Sequence, residues 1–121
     1  MQARYSQRVA VEGLVMFART NAIGEGRLLD LSLPSCLLES QEIISPGEYV
    51  QLRIFLPDDQ APLQVPLAAV RWVAGVRVGL EFIRTSESEQ RRLDDFMRTR
   101  LYRRRKSTWS EGMFVPEAGG L

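Results

Sequence analysis

Two pairs of residues in this chain have the types and spacing to hold an anionic, hydrogen-bonding ligand. Arg4 and Arg8 stand four apart in RYSQR, near the N-terminus. Each guanidinium is a planar fork that binds phosphate through two parallel hydrogen bonds. Asp30 and Ser32 stand two apart in DLSLPS, the only polar side chains between Arg27 and Ser35. On a strand, side chains two apart point to the same side, roughly 7 Å from one another. A carboxylate that accepts and a hydroxyl that donates or accepts would then act together.

Most catalytic chemistry is poorly served by the composition. The chain has no histidine, which removes the commonest general base and zinc ligand and excludes Ser-His and Cys-His nucleophilic mechanisms. Its only lysine is Lys106, inside a run of arginines. Cys36 is the sole cysteine, so no internal disulfide and no cysteine-based metal site can form. Flanked by Leu37 and Leu38, it reads as a buried, inert thiol. We expect no enzymatic activity, no metal and no cofactor.

The elements that must position the two pairs follow from hydropathy patterning. In VAVEGLVMFA, Val9, Val11, Val15 and Phe17 share one parity, which predicts a strand over 9–18. Gly13 inside it points to a bulge or a close backbone approach. NAIGEG, 21–26, reads as a hairpin connection. A second strand is expected over Arg27–Ser32, with Leu29 and Leu31 on one face and Leu28, Asp30 and Ser32 on the other. A turn at Leu33–Ser35 leads into a short strand, CLLES. Pro46-Gly47 marks another turn. EYVQLRIFL then alternates, with Val50, Leu52, Ile54 and Leu56 inward. LQVPLAAVRWV, 63–73, predicts a long strand in which Pro66 implies an edge or a bulge. AGVR turns the chain, and VGLEFI, 78–83, completes six strands.

Turns every eight to twelve residues indicate an all-β antiparallel barrel or sandwich rather than an α/β arrangement. The pattern changes after Thr85. Ser86 and Glu89 are spaced as a capping box, and Leu93, Phe96, Met97 and Leu101 follow helical periodicity. A helix is expected over about Glu87–Arg104, its apolar stripe packing on the barrel. Early acids and late arginines would complement the helix dipole.

At 121 residues and a net charge of +1, the chain suits one compact domain that is not an electrostatic nucleic-acid binder as a whole. The N-terminal MQARYSQRVAVEG has no long apolar stretch after its charges. No window reaches the ~20 apolar residues of a membrane span. We therefore expect no signal peptide and a cytoplasmic location.

Taken together, R-x-x-x-R (Arg4, Arg8), a strand, D-x-S (Asp30, Ser32), V-x-W (Val70, Trp72) and G-x-x-F (Gly79, Phe82) resemble the PilZ domain over about residues 4–100. The resemblance implies a six-stranded antiparallel β-barrel, split-barrel in type, with a C-terminal α-helix. The organisation would be an N-terminal segment 1–8, a barrel 9–84, a helix segment 86–105 and a tail 106–121. It also implies a ligand, the bacterial second messenger cyclic di-GMP. Arg4 and Arg8 would clamp it from the N-terminal segment, while Asp30 and Ser32 receive it on the strand. The chemistry suits this ligand. Arginine forks fit its phosphodiesters and the O6/N7 edge of guanine, and a carboxylate accepts from guanine N1–H and N2–H₂.

One position departs from the family pattern D/N-x-S-x-x-G. Ser35 occupies the glycine's place, after Pro34. With Pro34 at position i+1, a type I turn is expected, and Ser35 could offer its hydroxyl to the ligand. Trp72 could touch a guanine, although barrel packing is its commoner role. Arg71 and Arg77 read as solvated strand positions. Residues 91–106 hold eight of the sixteen Lys and Arg, an expected solvated helix end whose alternative is a nucleic-acid or partner contact. The leading expectation is a single-domain cyclic di-GMP receptor that relays its state to a protein partner in motility, biofilm or secretion control. The alternatives are a PilZ adaptor that binds proteins without nucleotide and a nucleic-acid binder working through 98–106.

Overall fold

The computed structural model describes residues 8–58 and 60–113, with side chains described as far as Tyr102. Six strands are followed by one helix: β1 (Val9–Ala18), β2 (Ile23–Ser32), β3 (Ser35–Glu39), β4 (Tyr49–Phe55), β5 (Leu63–Ala74), β6 (Arg77–Arg84) and α1 (Glu87–Met113). The chain forms two compact units divided after Gln90.

The strands close into a barrel in the order β1-β2-β3-β6-β5-β4, antiparallel at every seam. Pairing of β1 with β4 closes it and leaves no edge strand to protect. The alternating apolar residues fill the interior. Val11, Val15, Phe17, Leu31, Leu38, Ile54, Leu63, Val65 and Val70 are all fully buried or nearly so. Each removes apolar area from water at about 25 cal/mol per Å².

Bulges re-aim the strands at several points. The β1–β2 register shifts between Ala10 and Gly13, as Gly13 foretold, and a Cβ at Gly13 would strike the Phe55 carbonyl. Pro66 marks a bulge in β5, where Pro66 and Leu67 oppose the single residue Gln51 of β4. It does not mark an edge, because closure has removed the edges. The β2–β3 register shifts between Leu28 and Asp30. Leu29 is the extra residue, so both Leu28 and Leu31 point into the core. This corrects the strict alternation that put Leu28 with Asp30 and Ser32. Residues 23–26 also belong to β2 and not to a loop, since Gly24 and Gly26 pair with Phe17 and Val15. A Cβ at Gly24 would press on the Phe17 ring, which is a packing reason for glycine in a strand.

The turn after β2 differs from expectation as well. Ser32 pairs with Ser35, so the connection is only Leu33 and Pro34, joined by a cis peptide. Proline is therefore at i+2, where type I disfavours it; cis-Pro at i+2 defines type VI. Leu33 is buried, and the Pro34 carbonyl accepts from the Phe82 N–H at 2.7 Å, so the turn is fastened to β6.

Ser86 caps the helix, its Oγ accepting from the Glu89 N–H at 3.2 Å. Leu93 and Met97 are fully buried, and Phe96 and Leu101 partly so. The helix continues through Met113, beyond the 86–105 expected, because neither proline nor glycine occurs in it before Gly112. The arginines consequently sit mid-helix, and no basic residue occupies the last turn. The complementarity expected between arginines and the dipole's C-terminal end is not realised.

Candidate functional site

The register of four strands brings the D-x-S pair to the outer face of the barrel. Asp30 on β2 pairs with Leu37 on β3, Leu37 with Gly79 on β6, and Gly79 with Trp72 on β5. Two residues along, Ser32 pairs with Ser35 and Ser35 with Glu81. These are two parallel cross-strand rows, with about 4.8 Å between strands and roughly 7 Å between rows. The intervening residues Leu31, Cys36 and Leu80 point inward and are buried, so the rows present their side chains outward.

A cleft of about 160 Å³ lies over the two rows, lined by Arg8, Asp30, Ser32, Ser35, Leu37, Arg71, Trp72 and Gly79, with Cys36 and Leu80 at its floor. It is smaller than the ~300–1,000 Å³ of pockets that engulf a ligand, so it can grip part of one. A larger groove, about 280 Å³, opens elsewhere beside Met16, Ile23 and Pro66. Arg53 is its only charged lining residue. The smaller cleft carries the chemistry.

Arg8 immediately precedes β1. It shares parity with Ala10, which pairs with Asp30, and so projects on Asp30's side of the sheet. Its Nη1 donates to both carboxylate oxygens of Asp30, at 3.2 and 3.3 Å. Arg8 is 64% exposed and Asp30 only 16%. The carboxylate is thus anchored in the wall, whereas the arginine reaches over it from outside. Arg4 lies outside the described residues.

Ser35 is the first residue of β3, extended and paired on both sides. The positive backbone angle that glycine can adopt is not required here, and serine costs no strain. Trp72 is not inside the barrel. It lies on the outer face, 44% exposed, against Gly79. A Cβ on Gly79 would collide with the indole, 2.8 Å from Cδ1 and nearer still to Nε1. The glycine and tryptophan of the two C-terminal motifs are therefore one feature: the missing side chain makes a seat for the ring.

Arg71 lines the cleft as well, and Glu81, outside the lining, holds it. The β5–β6 register shifts between Val70 and Trp72, which makes Arg71 a bulge residue on the outer face. Its Nε donates to Glu81 Oε1 at 2.6 Å. Sequence patterning reads Arg71 as solvated, since no local signal marks the bulge, and Glu81 reaches the site only through pairing with Ser35. Arg77, by contrast, does not line the cleft; it lies near Glu39. Burial pushes the Cys36 thiol well above its usual range, and the negative charge of Asp30 adds to the shift. It is a poor nucleophile, as a floor residue can be.

Within the helix, Arg98 bonds Asp95 at 2.9 Å and Arg100 lies over the Phe96 ring at 4.8 Å. The side chains of 103–106 lie outside the described residues. Among the described residues, no cluster of three or more metal-ligating side chains occurs, and no helix is long and apolar enough to cross a membrane.

A barrel of this topology, with D-x-S on β2 and an arginine before β1, is the PilZ arrangement, and the PilZ domain family model matches residues 2–99. The chain belongs to the PilZ domain family. Among solved structures it is similar to the PilZ domain with c-di-GMP of YcgR from Escherichia coli, with a TM-score of 0.66 and 16% identity over 88% of this chain and 97% of that one. It is also similar to the Bacillus subtilis inhibitor of motility, MotI/DgrA, with a TM-score of 0.66 and 19% identity over 86% of this chain and 54% of that one. The chain thus spans about half the length of MotI/DgrA. A search of curated proteins finds no match.

Proposed function

We propose that this chain is a non-catalytic receptor for cyclic di-GMP that relays ligand occupancy to a protein partner. The observation that carries the reading is the meeting of Arg8, Asp30, Ser32, Ser35 and Trp72 in one cleft, from three separate stretches of sequence. Asp30 accepts from guanine N1–H and N2–H₂. Ser32 and Ser35 add hydroxyls beside it, and the indole of Trp72 offers a face to a base. Arg8, with Arg4 from the N-terminal segment, takes phosphodiester oxygens through charge-assisted bonds. Binding exchanges the Arg8–Asp30 pair for two contacts to ligand, so both partners are preformed and mutually neutralised beforehand. The relay follows from the same exchange: it takes Arg8 off Asp30 and alters the surface a partner meets.

Titration calorimetry tests the reading, with cyclic di-GMP added to micromolar protein at two temperatures. The expected result is saturable binding at both; no heat at either overturns it.

A further inference from the structure

Arg71 is the cation in the cleft that the phosphate clamp does not use. It stands on β5, three strands round the barrel wall from Asp30 on β2, and lines the same cleft. Between them lie Leu37 and the Trp72 indole, an apolar bed for a flat ring. A purine hydrogen-bonded at both edges needs roughly 12 Å from one partner atom to the other, two bonds of ~2.9 Å included. The stem of Arg71 sets how far its guanidinium reaches across that bed.

Its guanidinium is also presented in a particular way. Nε and Nη2 both meet Glu81 Oε1, at 2.6 Å. That contact occupies the Nε/Nη2 side of the fork and leaves its Nη1/Nη2 end for a ligand in the cleft that Arg71 lines. Glu81 is itself held in the row of Ser32 and Ser35 by strand pairing. An arginine whose side is braced by a carboxylate offers its end as a rigid two-donor edge. The base edge with two matching acceptors is O6/N7 of guanine; adenine has a donor in place of O6.

We infer that Arg71 reads the O6/N7 edge of the guanine whose N1/N2 edge rests on Asp30, with Glu81 as its positioning residue. This rests on the proposed function and deepens it. Arg4 and Arg8 hold phosphate, while Asp30 and Arg71 grip one base from opposite edges and select guanine.

A chemical double-mutant cycle tests it, using cyclic di-GMP and its 7-deaza analogue, in which N7 is replaced by C–H. The wild type is expected to bind the natural ligand about tenfold or more tightly than the analogue, since a hydrogen bond to a charged group is lost. Arg71→Ala is expected to bind both ligands alike. Arg71→Lys keeps the charge but not the fork, and Glu81→Gln weakens the brace; both should shrink the ratio. Arg71→Ala that keeps the wild-type ratio overturns the assignment, whether its affinity is unchanged or is lowered equally for both ligands. Absence of binding by the wild type overturns the receptor reading itself, and the inference with it.

Discussion

Replacing Arg8 by alanine separates a ligand-holding residue from a structural one. The pair with Asp30 joins a 64% exposed arginine to a carboxylate at 3.2 and 3.3 Å, the long end of the hydrogen-bond range. Such surface pairs contribute between zero and about 1 kcal/mol. A loss of that size lowers the melting temperature of a domain this large by no more than about 4–8 °C, and exposure puts the expected shift at the low end, a few degrees. Binding should respond far more. A charge-assisted bond to phosphate is worth about 1.5–3 kcal/mol. The wild type must first give up the Asp30 pair, which offsets up to about 1 kcal/mol. The net loss is about 2 kcal/mol, or roughly thirtyfold in Kd. Calorimetry with cyclic di-GMP measures the affinity, and thermal unfolding of the same sample measures the stability. Affinity within threefold of the wild type would refute the clamp. A large fall in melting temperature that accompanies the lost affinity would show that Arg8 acts through the fold.

Three further outcomes follow from the geometry. Ser35→Gly should lower stability by about 0.5–1 kcal/mol, the cost of glycine in a strand, and weaken cyclic di-GMP binding by up to about tenfold as one neutral hydrogen bond is lost; a gain in affinity would mean that the Ser35 hydroxyl obstructs the ligand. Gly79→Ala forces the Trp72 indole off its seat, so in a Trp109→Phe background its emission should shift to the red and cyclic di-GMP affinity should fall; unchanged emission and affinity would refute the seat. The Glu48 carboxyl is held below its ordinary 4.5, first by the Arg19 side chain at 2.9 Å and then by the Ser45 N–H. A lowered folded value contributes stability above about pH 4.5 that is lost as pH falls through the folded value. The difference in melting temperature between wild type and Glu48→Gln should therefore narrow below that pH, and a constant difference from pH 7 to 3 would rule the contribution out.

How far the fold was legible depended on how local its cause was. Period-two patterning marked β4 because every second residue from Val50 to Leu56 is apolar and nothing interrupts the count. It failed at Leu29, where one extra residue resets the parity, and a bulge is defined by the partner strand rather than by the sequence that carries it. The helix start was legible in Ser86 and Glu89, since a cap is a contact within one turn. Its end was not: 106–113 is helical without a periodic apolar stripe to show it.

The site divides along the same line. Amino-acid types alone determined what chemistry is available: arginine forks, one carboxylate beside a hydroxyl, and neither histidine nor a usable thiol for catalysis. The motifs Arg4/Arg8 and Asp30/Ser32 could be read because each is a spacing within one segment. Only the tertiary structure decided that Ser35 is an extended strand residue, that Gly79 is the seat of Trp72, and that Arg71, held by Glu81, lines the same cleft as Asp30. Those relations run between strands, from 7 residues apart for Trp72 and Gly79 to 41 for Asp30 and Arg71. They are set by hydrogen-bond register and by closure of the barrel, and register belongs to pairs of strands rather than to either strand alone.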